Sequence, residues 1–282
     1  MSVTQVVALA IIQGLAELLP VSSSAHVVVA EELMGLDPTA PSMTLLLVLL
    51  HTGTMFAVIV YFWKDWRRSY FSSKEAFVRI VTLVVIATAL TGALGELVAH
   101  LVTRAILGPH AEIEQLFGRL DLIAPALFAV GVLILVAYFL ERRIDKTPKL
   151  TMRQSALIGL VQGLSLPFRG FSRSGATISA GMLAGVEKGV AERFSFALAV
   201  VLTPPVVIRE VMRLEASRAQ LTAPQVHSAL GLGLLGGVLA FLAGLVALRW
   251  LSAWLERGRW YYFGGYCMVA AIAVEWLHHA GY

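Results

Sequence analysis

Apolar segments long enough to cross a lipid bilayer recur along this chain, and the places where they break off are polar in the same way twice. Met43–Trp63, Phe77–His100, Leu122–Leu140, Phe194–Met212, Ala229–Leu251 and Tyr261–Leu277 each read as a full transmembrane helix, since about 20 apolar residues cover the hydrocarbon core. Val3–Leu19 with Ala25–Met34, and Arg153–Leu166 with Ala176–Val186, are pairs of pieces short for a span. Between the members of each pair lie a proline and hydroxyls: Pro20 with Ser22, Ser23 and Ser24, then Pro167 with Ser172 and Ser174. Broken backbone at membrane depth survives only when it is buried in protein or lines a cavity. Each pair therefore predicts a re-entrant helical hairpin. With 58% hydrophobic and 14% charged residues and a mean hydropathy of +0.78, the chain is expected to be an all-α polytopic membrane protein, which excludes a soluble domain.

The two broken segments also match in detail. Gln13-Gly14-Leu15 corresponds to Gln162-Gly163-Leu164, Leu19-Pro20 to Leu166-Pro167 with a shift of two, and Ser22–Ala25 to Ser172–Gly175. One integral domain over 1–282 is expected, built from pseudo-repeats 1–145 and 146–282, each a hairpin plus three spans. Three crossings between the hairpins invert the second half, so the tips can meet near the midplane. Interrupted segments at corresponding positions of inverted halves point to a binding site.

Charge supports the layout. Loops 64–79, 141–153, 187–193 and 249–259 carry 15 Lys or Arg, against 5 in 100–121 and 209–218. By the positive-inside rule both termini are expected outside the cytoplasmic membrane. The net charge of +4 sits in loops between spans, so nucleic acid is not an expected partner. The single cysteine, Cys267, excludes a disulfide framework and a thiolate zinc site. The first residues lack a basic region and a cleavage site, and are expected to belong to the mature protein.

Chemistry is concentrated at the tips. Gln13 and Glu17 share a helix face, as do Ser23 and His26. A carboxylate or a guanidinium at this depth needs a partner, and Glu17 and Arg173 facing one another would satisfy both. Ser172 or Ser174 can cap the second helix, and two helix starts converging with Arg173 favour a strongly anionic group such as a phosphate or diphosphate. Reached from lipid, that group is a lipid phosphate. The competing roles are a purely structural Glu17–Arg173 pair, a satisfied core histidine at His26, and helix packing by His51-Thr52-Gly53-Thr54. Trp63, Trp66, Trp254, Trp260, Tyr261 and Tyr262 are expected to form interfacial belts.

The pieces Gln13-Gly-Leu-Ala-Glu17-Leu-Leu-Pro20-Val-Ser22-Ser23-Ser24-Ala-His26 and Gly170-Phe-Ser172-Arg173-Ser174-Gly175-Ala-Thr177-Ile178-Ser179 resemble the signature motifs of the bacitracin-resistance family of undecaprenyl-diphosphate phosphatases. The resemblance implies a membrane hydrolase that releases phosphate from undecaprenyl diphosphate, recycles the carrier lipid of peptidoglycan synthesis and confers bacitracin resistance. It implies Glu17, Ser23, His26 and Arg173 as functional residues, His26 moving the proton, with Ser172, Ser174, Gly175 and Thr177 in a phosphate-binding turn. Gln13, Ser22, Ser24 and Arg169 join them as candidate substrate contacts. Glu17 would bind a divalent cation, Mg²⁺ or Ca²⁺, or orient the nucleophile, and either Ser23 or water would attack. The expected partners are a polyprenyl diphosphate and the bilayer, with a homodimer left open.

Two positions depart from the family pattern: Gln13 stands at the first position of its paired-acid motif, and Phe168-Arg169-Gly170 replaces its usual Pro-Gly. Two other functions use the same architecture: a flippase for a polyprenyl phosphate, and a non-catalytic binder of the carrier lipid. The Glu17–Ser23–His26 cluster separates them from a hydrolase, because transport requires no nucleophile.

Overall fold

A computed structural model of the chain describes residues 1–37, 40–108, 116, 118–217 and 223–281. Among these the regular structure is helical. In chain order the helices are α1 (Val3–Leu18), α2 (Ser23–Leu33), α3 (Pro41–Ser69), α4 (Lys74–Ile106), α5 (Leu120–Leu140), α6 (Met152–Ser165), α7 (Arg173–Leu183), α8 (Lys188–Ser217), α9 (Ala223–Glu256) and α10 (Tyr261–His279). Two short helices and three longer ones thus appear twice. The short helices start alike: Ser2 and Gln5 form a capping box at α1, and Thr151 and Gln154 form one at α6. Each box satisfies two of the backbone donors that a helix start leaves open.

Packing follows the same correspondence. α1 lies on α9 and α6 lies on α4, while α3 meets α8 and α5 meets α10. The glycine shared by the two broken segments explains the first two crossings. A Cβ on Gly14 would come 2.6 Å from the Ala243 Cβ and 2.7 Å from the Ala240 carbonyl on α9; one on Gly163 would come 2.9 Å from the Thr91 carbonyl on α4. Only a bare Cα lets the short helices press this closely on long ones.

Ser42–Ser69, Lys74–Ile106, Leu120–Arg143, Lys188–Ile208 and Ala229–Glu256 are long and apolar enough to cross a bilayer. The sixth expected span forms as α10, but its Tyr, Gly, Glu and His residues keep it out of that set. α8 continues as helix to Ser217 through most of the expected loop 209–218, and α4 runs on to Ile106. Arg218 and segment 109–115, parts of the sparsely charged loops, lie outside the described residues.

Three buried apolar clusters hold the bundle. The largest joins Val58 and Phe62 of α3, Ile134 of α5, Ile158 of α6, Ile178 of α7, Phe194 and Phe196 of α8, and Leu248 of α9. A second locks α1 and α2 to α3 and α9, and a third packs Ala25 and Val28 of α2 against Leu127, Ala271 and Val274. Two of the expected belt residues belong inside. Trp66 and Trp260 are buried, and their indole N–H groups donate to the Arg193 carbonyl at 3.3 Å and the Ser179 hydroxyl at 3.2 Å. Burying an indole is stable once its N–H has a partner, a satisfaction that hydropathy does not foretell.

The glycine contacts generate a paired test. Gly14→Val should lose about 1–3 kcal/mol through overpacking, lowering the melting temperature of the detergent-solubilised protein and its activity together. Gly92→Ala, where a Cβ meets nothing within 4 Å, should leave the melting temperature unchanged or raise it. Equal melting temperatures for Gly14→Val and the parent would contradict the α1–α9 contact.

Candidate active site at the hairpin tips

The ends of α1 and α2 meet those of α6 and α7 in direct contact. The Ser174 hydroxyl donates to the Leu19 carbonyl at 3.3 Å, and a Cβ on Gly175 would stand 3.3 Å from the Pro20 Cβ. Across this seam Arg173 Nη2 donates to Glu17 Oε1 at 3.2 Å. Each side chain is 18% exposed, so both charges are largely removed from solvent. Losing one member of a pair this buried costs about 3–5 kcal/mol, because the survivor is left uncompensated.

Glu17 collects further donors on its other oxygen. Oε2 accepts from the Ser23 hydroxyl at 2.5 Å and from Gln13 Nε2 at 3.1 Å, and His51 Nε2 lies 3.9 Å away. The short Ser23 contact follows from the turn between α1 and α2. Ser22 holds φ 67° and ψ 91°, the sole non-glycine positive φ among the described residues. A serine held there costs on the order of 1–3 kcal/mol, and such residues cluster at functional sites. Its hydroxyl lies 3.3 Å from that of Ser24 and makes no side-chain cap at the α2 start. The α7 start is closed by contrast, since Ser172 Oγ accepts from the Gly175 N–H at 3.2 Å.

His26 is doubly engaged. One ring nitrogen, Nδ1, is 2.7 Å from the Ser22 carbonyl, which can only accept, so Nδ1 carries the proton. Neutral Nε2 then accepts from the Tyr266 hydroxyl at 2.6 Å. His26 thus ties the α2 start to Tyr266 of α10.

Two of the expected substrate contacts have partners within the protein. Thr177 is fully buried; its hydroxyl bonds the Arg173 carbonyl at 2.8 Å and lies 2.6 Å from the Ser195 hydroxyl, tying α7 to α8. Arg169 acts electrostatically on Glu31, the buried acid near the far end of α2. His51, read from sequence mainly as packing, is at the site: Nδ1 donates to the Leu47 carbonyl at 2.8 Å, turning Nε2 toward Glu17. The glycine of its patch, Gly53, does pack, against the Gly237 carbonyl.

The donor set does not fit a resident divalent cation. Such ions take several oxygen ligands, usually including more than one carboxylate or substrate phosphates. Here Glu17 is already bonded by Ser23, Gln13 and Arg173, and its neighbours Gln13 Nε2 and Arg173 present N–H groups. No group of three His, Cys, Asp or Glu side chains suited to a metal occurs among the described residues.

A family model for the bacitracin resistance protein BacA matches residues 6–273. The chain is 54% identical over 275 residues to Undecaprenyl-diphosphatase 2 of Acinetobacter baylyi, covering 95% of both chains. It is 32% identical over 289 residues to the Undecaprenyl-diphosphatase of Desulfatibacillum aliphaticivorans, with 96% of each chain covered. Identity to the Undecaprenyl-diphosphatase of Mycolicibacterium smegmatis is 34% over 291 residues, covering 97% of this chain and 96% of the relative.

The saturation of Glu17 has a measurable consequence. Mn²⁺ titrated into the lipid-free protein should give the same bound-ion signal by electron paramagnetic resonance in the parent and in Glu17→Gln. A stoichiometric bound signal that Glu17→Gln removes would show a preformed cation site at this carboxylate.

Proposed function

The chain belongs to the bacitracin resistance protein BacA family, and we propose that the cradle joining its two hairpin tips is where it hydrolyses undecaprenyl diphosphate. It is an integral membrane hydrolase that cleaves the diphosphate bond with water, giving undecaprenyl phosphate and phosphate. The reaction returns the lipid carrier to cell-wall synthesis and depletes the diphosphate form that bacitracin binds.

The observation that carries the site assignment is the divided use of Arg173. One guanidinium nitrogen is held by Glu17, while the buried Nη1 has no hydrogen-bond partner among the described residues. A buried charged donor without a partner is costly, and a phosphoryl oxygen would satisfy it. The N–H groups at the open α2 start add positive potential beside it. An apolar groove of about 590 Å³, lined by Leu15, Leu19, Val21, Trp250 and Phe263, extends to His26, three residues along α2 from Ser23, and suits a prenyl chain.

The chemistry then follows from Ser23. Its hydroxyl already donates to Glu17 Oε2, the geometry of a nucleophile with its base. Ser23 Oγ bonds the terminal phosphorus while its proton passes to Glu17. The bridging P–O bond breaks with its electron pair on the lipid phosphate, which takes up that proton. Water then attacks the phosphoserine, giving a proton to Glu17 and releasing phosphate as the hydroxyl is restored. Arg173 and the α2 start stabilise charge on the phosphoryl oxygens, the usual dominant contribution to phosphoryl transfer. A flippase requires the guanidinium but not the 2.5 Å serine–carboxylate contact, which favours hydrolysis.

The same reading extends to placement. We infer a cytoplasmic-membrane protein with both termini periplasmic and hairpins entering from opposite faces, supported by the 15-to-5 distribution of Lys and Arg and by the matching helix pairs α1·α9 and α6·α4.

Release of phosphate from undecaprenyl diphosphate should fall roughly 100-fold or more in Arg173→Ala and Glu17→Ala. Acid quenching during turnover of terminally ³²P-labelled lipid should leave label on the parent and none on Ser23→Ala. Unchanged turnover in both charge variants would remove the site from this seam; an unlabelled parent with full turnover would replace serine attack by water.

A further inference from the structure

Tyr266 belongs to neither signature motif, yet its side chain meets His26 from the distant half of the chain. Its hydroxyl lies 2.6 Å from Nε2, and its ring stacks on the imidazole with centroids 5.6 Å apart and planes 13° from parallel. α10 places it there through two neighbouring contacts. Cys267 Sγ donates to the Pro20 carbonyl at 3.4 Å, and Ala271 and Val274 pack on Ala25 and Val28 of α2.

The contacts run in series toward the nucleophile. A phenol O–H donating to Nε2 keeps that nitrogen unprotonated, which puts the proton on Nδ1. Nδ1–H donates to the carbonyl of Ser22, the residue held at φ 67° immediately before Ser23. Ser23 then points its hydroxyl at Glu17. A strained turn persists only when its surroundings over-determine it, and this chain of bonds is the external brace on that peptide.

We propose that Tyr266 is a positioning residue for the hydrolysis: it fixes the His26 tautomer that braces the left-handed Ser22 turn and so aims Ser23. The proposal rests on the assignment of Glu17 and Ser23 to the reaction. Histidine here serves as a strut, and a tyrosine from the far end of the chain holds it.

The test uses the full-length protein in detergent with undecaprenyl diphosphate as substrate. Tyr266→Phe keeps the stacking ring and removes only the hydroxyl; kcat should fall roughly tenfold with KM within about twofold. His26→Gln should fall by more, and adding Tyr266→Phe to it should cost nothing further, since residues acting through one contact are not additive. In ¹⁵N-histidine spectra, with His26→Gln identifying the resonance, the parent should show the Nδ1–H tautomer and Tyr266→Phe a mixture. Multiplying losses in the double variant, a change confined to KM, an unaltered kcat, or an unaltered tautomer in Tyr266→Phe would each overturn the proposal. Glu17→Ala is run alongside: its retaining turnover would sink the site itself, whereas the outcomes just named sink only the role of Tyr266.

Discussion

The contact between Glu17 and Arg173 is the constraint to which the rest of the molecule answers. Neither charge is tolerable alone at membrane depth, and neither can be supplied by the same half of the chain. Counted on from the shared Gln-Gly-Leu, the position of Glu17 is taken in the second half by Leu166; where the second has Arg173, the first has Ser23. Two nearly equivalent hairpins have therefore been made chemically unlike, one acidic and nucleophilic, the other cationic. Bringing them together satisfies each and leaves over the groups a diphosphate needs: Arg173 Nη1, the Ser23 hydroxyl and the uncapped start of α2.

Everything around the seam serves to hold it. Gly14 and Gly163 let the short helices sink onto α9 and α4. Thr177 and Ser195 fasten the rear of α7, and Ser172 closes its start, leaving Arg173 as the projecting group. On the other hairpin the order is reversed. Ser22 leaves the α2 start open at the expense of a strained peptide, and His26 with Tyr266 braces it. The start of one tip's second helix is capped by its own serine; the other's is not.

Much of this was legible in the sequence because it is written in features that periodicity and hydropathy report. Short apolar pieces around Pro20 and Pro167 marked the hairpins, and the need to neutralise Glu17 and Arg173 at depth predicted their pairing, which the structure contains. The likeness of the two short-helix pairs was visible in Gln-Gly-Leu. Its physical reason, the close crossings of Gly14 and Gly163, was not, since it depends on which helix lies opposite. The Ser2–Gln5 and Thr151–Gln154 capping boxes had a sequence signal that passed unused. The role of His26 was legible only from its nearness to Ser23 and Glu17 in the chain; its partner Tyr266, 240 residues away, was not. Trp66 and Trp260 misled for a related reason: aromatic residues near span ends suit either an interface or a buried seat with a nearby acceptor, and only three-dimensional neighbours decide.

The central claim is that one buried cradle, drawn from both hairpins, receives the phosphoryl group. The most direct measurement is an experimental structure with a non-hydrolysable methylene-bridged analogue of a polyprenyl diphosphate. The account predicts the terminal phosphonate at the start of α2, accepting from Arg173 Nη1, with its phosphorus in line with Ser23 Oγ. An analogue bound away from the seam, with the Glu17–Arg173 contact closed behind protein and Ser23 out of reach, would contradict it.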